Sequence, residues 1–288
     1  MNYKRYYSAI EFIEQAEDFL LLDEAKHNLP LGILSQCAAK ERESQSTDPK
    51  PYFALIRDDK GIALTLIMTP PFNLGIFGDE KHGDLDHAFT IAVNNLLKER
   101  VTIPGVIGAN QLVEPFVDQW GKTTGAKPVI AMEQAIYELT EVQSVPVIPG
   151  KMRAATEQDL DLVINWIHEF TNVTEAPLSK EDSIKRAKEF IGQRSIHMWE
   201  DGEPVSMARQ ARSTKNGIVI NLVYTPPEFQ RKGYATSCVA ALSQKLLDSG
   251  YKFCSLYTDL SNPTSNRIYG KIGYRTIGES IVYRFETD

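Results

Sequence analysis

The stretch Val223-Tyr224-Thr225-Pro226-Pro227-Glu228-Phe229-Gln230-Arg231-Lys232-Gly233-Tyr234-Ala235-Thr236 (VYTPPEFQRKGYAT) joins an apolar, strand-like run, GIVINLVYT, to a helix-like run, GYATSCVAALSQKLLDSG. Two adjacent prolines cannot extend a hydrogen-bonded ladder, so the strand stops abruptly. Ala235, Val239, Leu242 and Leu246 fall on one helical face, and Gly250 follows as a stop. The start of such a helix carries backbone N–H groups without intrahelical partners and a partial positive charge. Gly233 removes a Cβ from the approach, Ala235 keeps the next turn small, and Arg231 and Lys232 add mobile cations. Together these features read as a cradle for a pyrophosphate. An ordinary loop-to-helix junction with surface cations fits the same residues equally well. No GK[ST] and no GxGxxG accompanies them, which excludes a Walker loop and disfavours a dinucleotide fingerprint.

Outward from this stretch, residues 146–288 parse with few alternatives. Met152 to Ala155 is a short strand, and Thr156 caps the helix EQDLDLVINWIHEF, whose Leu160, Val163, Ile164 and Ile167 recur at helical spacing. EDSIKRAKEFI is a second helix. SIHMWEDGEPVSMARQAR is a hairpin turning at Asp201-Gly202. After the long helix come the strand KFCSLYT, the short helix SNRIYGKIG and the strand YRTIGESIVYRFE. The order is strand, two helices, three strands, helix, strand, helix, strand.

Gln230, Gly233 and Ala235 match [Q/R]-x-x-G-x-[G/A], and about 30 residues on, Asn262-Pro263-Thr264-Ser265-Asn266-Arg267-Ile268-Tyr269-Gly270-Lys271-Ile272-Gly273-Tyr274 matches N-x-x-[SA]-x-x-x-Y-x-[KR]-x-G-[FY]. Both motifs and the element order resemble the GNAT-superfamily N-acetyltransferases over nearly all of residues 150–285. The resemblance implies acetyl-CoA as cosubstrate and a small-molecule or peptide amine as acceptor. It implies that Leu222, Val223 and Tyr224 offer backbone groups to the pantetheine arm, and that the loop-to-helix amides of Arg231, Lys232, Gly233, Tyr234, Ala235 and Thr236, with Gln230 of the motif, hold the pyrophosphate. Asn262, with Ser265 of the second motif, would face the arm from the other side. Tyr269 would be the catalytic acid, because a phenol with a pKa of about 10 stays protonated at neutral pH and can protonate a departing thiolate. The alternative for Tyr269 is an amphipathic side chain packing a short helix. Glu169, Glu175 and Asp259 are positional candidates for a general base, each equally readable as a solvated carboxylate.

Residues 1–145 repeat the same order more loosely. PYFALIRDDKGIALTLIMT is a hairpin, FNLGIFG a strand, LDHAFTIAVNNLLKER a helix, PGVIGA a strand, and FVDQWGKTTG sets Trp120-Gly121-Lys122 where Tyr269-Gly270-Lys271 stands later. This internal repeat points to two GNAT-like domains in tandem. The expected fold class is α/β with α+β character, each domain a mostly antiparallel mixed sheet flanked by helices. The proline- and glycine-bearing segment EVQSVPVIPGKMRAAT sets the expected boundary at 145/146. The Thr69-Pro70-Pro71-Phe72 echo of the cradle falls one strand too early and is assigned to a turn. In the loop GDEKHGDLDHAF, Asp79, Glu80, Asp84 and Asp86 occupy the place where a pyrophosphate needs donors, so the first domain is expected to lack a cofactor site.

The formal net charge of −7 is unevenly spread: residues 1–145 hold 13 Lys and Arg against 21 Asp and Glu, and residues 146–288 hold 18 against 17. Neither half is basic enough for nucleic acid. No apolar run approaches the ~20 residues of a membrane helix, and the N-terminus carries acids where a signal peptide needs apolar residues, so no membrane partner and a cytoplasmic location are expected. Cys37, Cys238 and Cys254 form no CxxC pair and the five histidines no ligand spacing, so free thiols and no metal are expected. A non-catalytic acyl-CoA sensor is the alternative to an N-acetyltransferase, motivated by the unassigned base and the acidic first half.

Overall fold

A computed structural model describes residues 1–45, 49–172 and 178–286. Two compact units divide the chain: Met1–Ala135 with Gly278–Asp288, and Ile136–Ile277. The first repeat contains β1 (Asn2–Tyr6), α1 (Ala9–Leu21), α2 (Asn28–Arg42), β2 (Tyr52–Asp58), β3 (Gly61–Met68), β4 (Leu74–Gly78), α3 (Leu85–Lys98), β5 (Gly105–Gly108), α4 (Asn110–Thr124) and β6 (Lys127–Leu139). The second contains β7 (Lys151–Ala154), α5 (Leu160–Asn172), α6 (Lys180–Gly192), β8 (Ile196–Asp201), β9 (Glu203–Ser213), β10 (Gly217–Tyr224), α7 (Tyr234–Asp248), β11 (Phe253–Asp259), α8 (Pro263–Ile272) and β12 (Arg275–Glu286). The repeat expected from the sequence is therefore present element for element, and the Pro70-Pro71 echo lies in the turn after β3.

In the first unit the strand order is β1-β2-β3-β4-β5-β12. The β4–β5 pair is parallel, and β1–β2, β2–β3, β3–β4 and β5–β12 are antiparallel. Both faces of this sheet are covered, which explains why β2 reads as an almost unbroken apolar run. Phe53 and Leu55 point to α1 and α2, packing with Phe12, Leu20 and Leu34. Tyr52, Ala54 and Ile56 point to α3 and α4, packing with Phe89, Leu96 and Phe116. Each such buried apolar side chain contributes about 1.5–3 kcal/mol.

In the second unit the order is β6-β11-β10-β9-β8-β7, and β10–β11 is the parallel pair at its centre. Here α5 and α6 cover one face through Val163, Trp166, Ile167 and Ile191. The other face carries α7 and α8 through Val239, Leu242, Leu246 and Ile272. Thr156 and Asp159 form a capping box ahead of α5, and Ser179 caps α6 by accepting from the Asp182 N–H. Gly202 turns the hairpin at φ +76° and Gly250 ends α7 at φ +109°, both conformations that glycine adopts without strain.

The unit boundary differs from the one expected at 145/146. It falls at Ala135/Ile136, and Gly278 onward returns to the first unit. Segment composition was a poor guide because the proline-bearing stretch is fastened within the second unit: Gln143 N–H donates to Ile272 O at 2.8 Å and Trp199 Nε1–H to Pro149 O at 2.9 Å. Strand pairing sets the division instead. The last strand of the second repeat, β12, pairs antiparallel with β5 over Ile281–Arg284, while β6 of the first repeat neighbours β11.

Candidate active site

The parallel pairing of β10 with β11 runs from Gly217↔Phe253 to Val219↔Ser255 and stops there. Both strands continue, β10 to Tyr224 and β11 to Asp259, so their C-terminal parts diverge. A register shift between Asn221 and Tyr224, with Leu222 at φ +51°, places a bulge on the diverging strand. Its effect is legible in the packing. Ile218 and Ile220 face α7, as a period of two requires, but beyond the bulge Val223 takes that face and Leu222 and Tyr224 turn to α5 and α6. The strand keeps its bonds to β9, for example at Tyr224↔Met207, so the edge turned toward β11 is the one left open.

Past Tyr224 the chain makes a single 3₁₀ turn, Pro227–Phe229, and then enters α7 through two left-handed residues, Arg231 at φ +62° and Gly233 at φ +92°. Among the described residues no side chain caps α7. Successive amides in such a turn form an anion-binding concavity on top of the helix terminus. The need for glycine at 233 comes from the backbone angle, since an added Cβ would meet only Ile148 Cγ2 at an ordinary 3.5 Å. Gln230 turns its side chain inward: Nε2–H donates to Thr225 O at 3.0 Å and braces the loop. Tyr234 anchors the helix start by donating to Asp201 Oδ2 at 2.7 Å, and Lys232 Nζ lies 5.5 Å from the centre of the Phe229 ring. Arg231, Lys232 and Gly233 are exposed, and Ala235 and Thr236 are half-buried in the first turn. An uncapped helix start beside a strand edge released from its neighbour is an arrangement that can accept an anion and an extended polar chain.

Asn262 caps α8, accepting from the Ser265 N–H at 3.1 Å through Oδ1. Its Nδ2 hydrogens have no acceptor among the described residues. Tyr269, on the same helix, is 7% exposed, with ring centroids at 6.1 Å to Tyr137 and 5.8 Å to Tyr274. Burial, and then Tyr137, push its phenol well above the ordinary range, so the proton stays on the oxygen. Val223, on the open strand, packs against the apolar cluster that contains Tyr269. The fold thus joins the strand edge and the phenol in one cluster.

Of the candidate bases, Glu169 lies in the last turn of α5 and its Oε2 accepts from the Tyr224 hydroxyl at 2.6 Å. Burial, then this bond, raise the Tyr224 phenol as well. Asp259 accepts from the Ser261 N–H at 2.7 Å within its own turn. Glu175 lies outside the described residues. Cys238 and Cys254 are buried, and burial pushes both thiols up to about 12, which leaves them as inert packing groups.

In the first unit a buried histidine ties the loop ahead of α3, whose own N-terminus has no side-chain cap among the described residues. His82, 9% exposed, accepts at Nδ1 from the Asp84 N–H at 3.3 Å, just ahead of α3. Its Nε2 lies 3.3 Å from Asp58 Oδ1. The neutral tautomer protonated at Nε2 serves both bonds. Pairing of β4 with β5 also reaches Ile76↔Gly108, and β5 ends there, so no long divergent edge follows. Trp120 stands where Tyr269 does and is stacked on Phe116 at 6.0 Å. Replacing His82 with alanine is expected to destabilise the first unit, because a buried imidazole and its bonds to Asp58 and the Asp84 N–H are lost. It should not create CoA affinity there, since Asp79, Asp84 and Asp86 remain. Chemical denaturation with CoA titration in parallel reads both; an unchanged unfolding midpoint would show that His82 does not hold this loop.

Sequence reasoning missed the bulge at Leu222, the Tyr137 ring beside Tyr269, the Asp201 anchor and the buried His82 that ties the loop ahead of α3. Only the last had a signal, a histidine inside an acidic loop.

Residues 200–283 match the family described as FR47-like protein. No curated protein matches the chain. Among solved structures, a GNAT-family acetyltransferase from Colwellia psychrerythraea aligns over 100% of both chains at TM-score 0.61 and 10% identity. A GCN5-related N-acetyltransferase from Sphaerobacter thermophilus aligns over 98% of this chain and 94% of that one at TM-score 0.62 and 14% identity. A tandem GNAT protein from the clavulanic acid biosynthesis pathway covers 100% of this chain and 99% of its own at TM-score 0.58 and 10% identity. At these identities the likeness is one of fold, and it extends over both repeats.

Proposed function

We propose that this chain, a tandem GNAT fold, is an acetyl-CoA-dependent N-acetyltransferase in which the second unit carries the reaction by direct transfer to a primary amine. The single observation that carries this reading is the divergence of β10 from β11 beside an uncapped α7. Acetyl-CoA, when bound, supplies a thioester carbonyl open to attack by an amine. The amides of Arg231 through Thr236 would hold its pyrophosphate, with Arg231 and Lys232 adding charge. Leu222, Val223 and Tyr224 would hold its arm by backbone bonds, with Asn262 Nδ2 opposite and Ser265 holding the Asn262 cap in place. Fixing donor and acceptor in one cleft replaces an encounter by proximity. Glu169 is the group able to take the amine's proton, directly or through the Tyr224 hydroxyl, and Tyr269 keeps a proton at its oxygen for the leaving sulfur. The first unit takes no cofactor in this scheme.

A thiol-release assay across polyamines, amino acids, aminoglycosides and peptides tests the reading. Release of CoA with at least one amine, lowered roughly tenfold or more in Glu169→Gln and with a changed acid limb of the pH–rate profile, is the expected result. CoA binding by calorimetry without release from any amine would leave an acyl-CoA sensor. Absence of CoA binding would remove both.

A further inference from the structure

The second unit contains a cavity that the proposed reaction does not use. The C-terminal ends of α6 and α7 and the start of β10 enclose about 370 Å³. It lies toward the far end of α7 from the cradle, which a 15-residue helix at 1.5 Å per residue sets roughly 20 Å away. Lys245, Arg194, His197, Gln193 and Gln210 give it a polar wall, and Ile218, Leu246 and Tyr251 an apolar one. Among the described residues no Asp or Glu lines it.

His197 is 1% exposed, and its Nε2 accepts from Lys245 Nζ at 2.8 Å. An imidazole that accepts at Nε2 is neutral and carries its proton at Nδ1. The remaining Lys245 N–H groups have no acceptor among the described residues, and Arg194 makes no ion pair among them. Lys245 and Arg194 are both exposed residues that line the cavity. Here one ammonium is fixed at the cavity wall by a neutral histidine, with a second cation beside it and no acid facing either.

We infer that this cavity is a binding site for a small organic anion, one bearing a carboxylate or phosphate head for Lys245 and Arg194 and an apolar body against Ile218, Leu246 and Tyr251. The amides of Gln193 and Gln210 supply further donors for the head. The site is independent of the acetyl-CoA cradle and would stand if the transferase reading failed. Its own reporter is built in. Burial, and then the Lys245 charge, hold His197 down to about 4. An anion seated on Lys245 offsets that charge and raises the imidazole's pKa.

The experiment titrates the full chain separately with inorganic phosphate and with succinate, following the His197 imidazole resonances by NMR and the thermal midpoint. Wild type should show a saturable rise in the His197 titration midpoint and in Tm with one of the two anions, which identifies the head group. Arg194→Ala, an exposed position, should weaken that anion at least about tenfold, the size expected for a lost charge-assisted bond, while CoA affinity stays the same. Lys245→Met should abolish the response, with circular dichroism confirming the fold. No movement of His197 and no change in Tm at tens of millimolar of either anion overturns the site. So does an equal response in Arg194→Ala and wild type, which would mark a general salt effect.

Discussion

Tyr269→Phe is expected to lower the rate of thiol release by about a hundredfold or more, the usual size of a positioned general acid, and to leave the CoA dissociation constant within a factor of two or so. The substitution removes one oxygen and keeps the ring. That ring packs at 5.8 Å against Tyr274 and 6.1 Å against Tyr137, so α8 and its Asn262 cap should stay in place. Stability should change by about 1 kcal/mol at most, the net worth of a single hydrogen-bonding group. The cradle lies on a different helix and owes nothing to this hydroxyl. The pH profile separates a catalytic from a structural role. Burial raises the Tyr269 phenol, so its protonated, active form persists through the alkaline range, and any alkaline limb in the wild-type profile belongs to another group and should survive in Tyr269→Phe. Measured kcat equal to wild type, or CoA affinity lost together with rate, would strip Tyr269 of the role of acid.

Much of this fold is legible in the sequence, because each element has a local cause. Thr156 and Ser179 mark helix starts, Gly202 and Gly250 mark turns that need positive φ, and the spacing of Val163, Ile164 and Ile167 declares a buried helical stripe. The two repeats follow from the same cues read twice. What escapes the sequence is set by contacts distant along the chain. The unit boundary is decided by which strand β12 pairs with, and no local composition encodes that. The bulge at Leu222 is invisible in GIVINLVYT because alternation looks continuous until packing shows Val223, not Leu222, beside α7. Gln230 belongs to a motif that suggests contact with the cofactor, yet its amide is used inside the loop, on Thr225. Glu169 and Tyr224 are 55 residues apart and meet only because the bulge turns Tyr224 toward α5.

The cradle itself permits a test in which stability and affinity should move in opposite directions. Ala235→Glu places a carboxylate in the first turn of α7, at an end that no side chain now caps. An acid there complements the helix dipole and can bond the free amides, stabilising the fold by about 0.3–1 kcal/mol. The same carboxylate takes the position that a pyrophosphate needs. Two like charges about 5 Å apart at an effective dielectric of ~20 repel by about 3 kcal/mol, which corresponds to at least a hundredfold loss of CoA affinity. The first unit carries acids at the corresponding place: Asp84 precedes α3 and Asp86 lies in its first turn. Calorimetry with CoA, alongside a thermal melt, should therefore find Ala235→Glu as stable as wild type or more so and nearly blind to CoA. Affinity within about threefold of wild type, a difference of only some 0.6 kcal/mol, would mean that the diphosphate is held somewhere other than the amides of α7. The divergence of β10 from β11 would then need a different explanation.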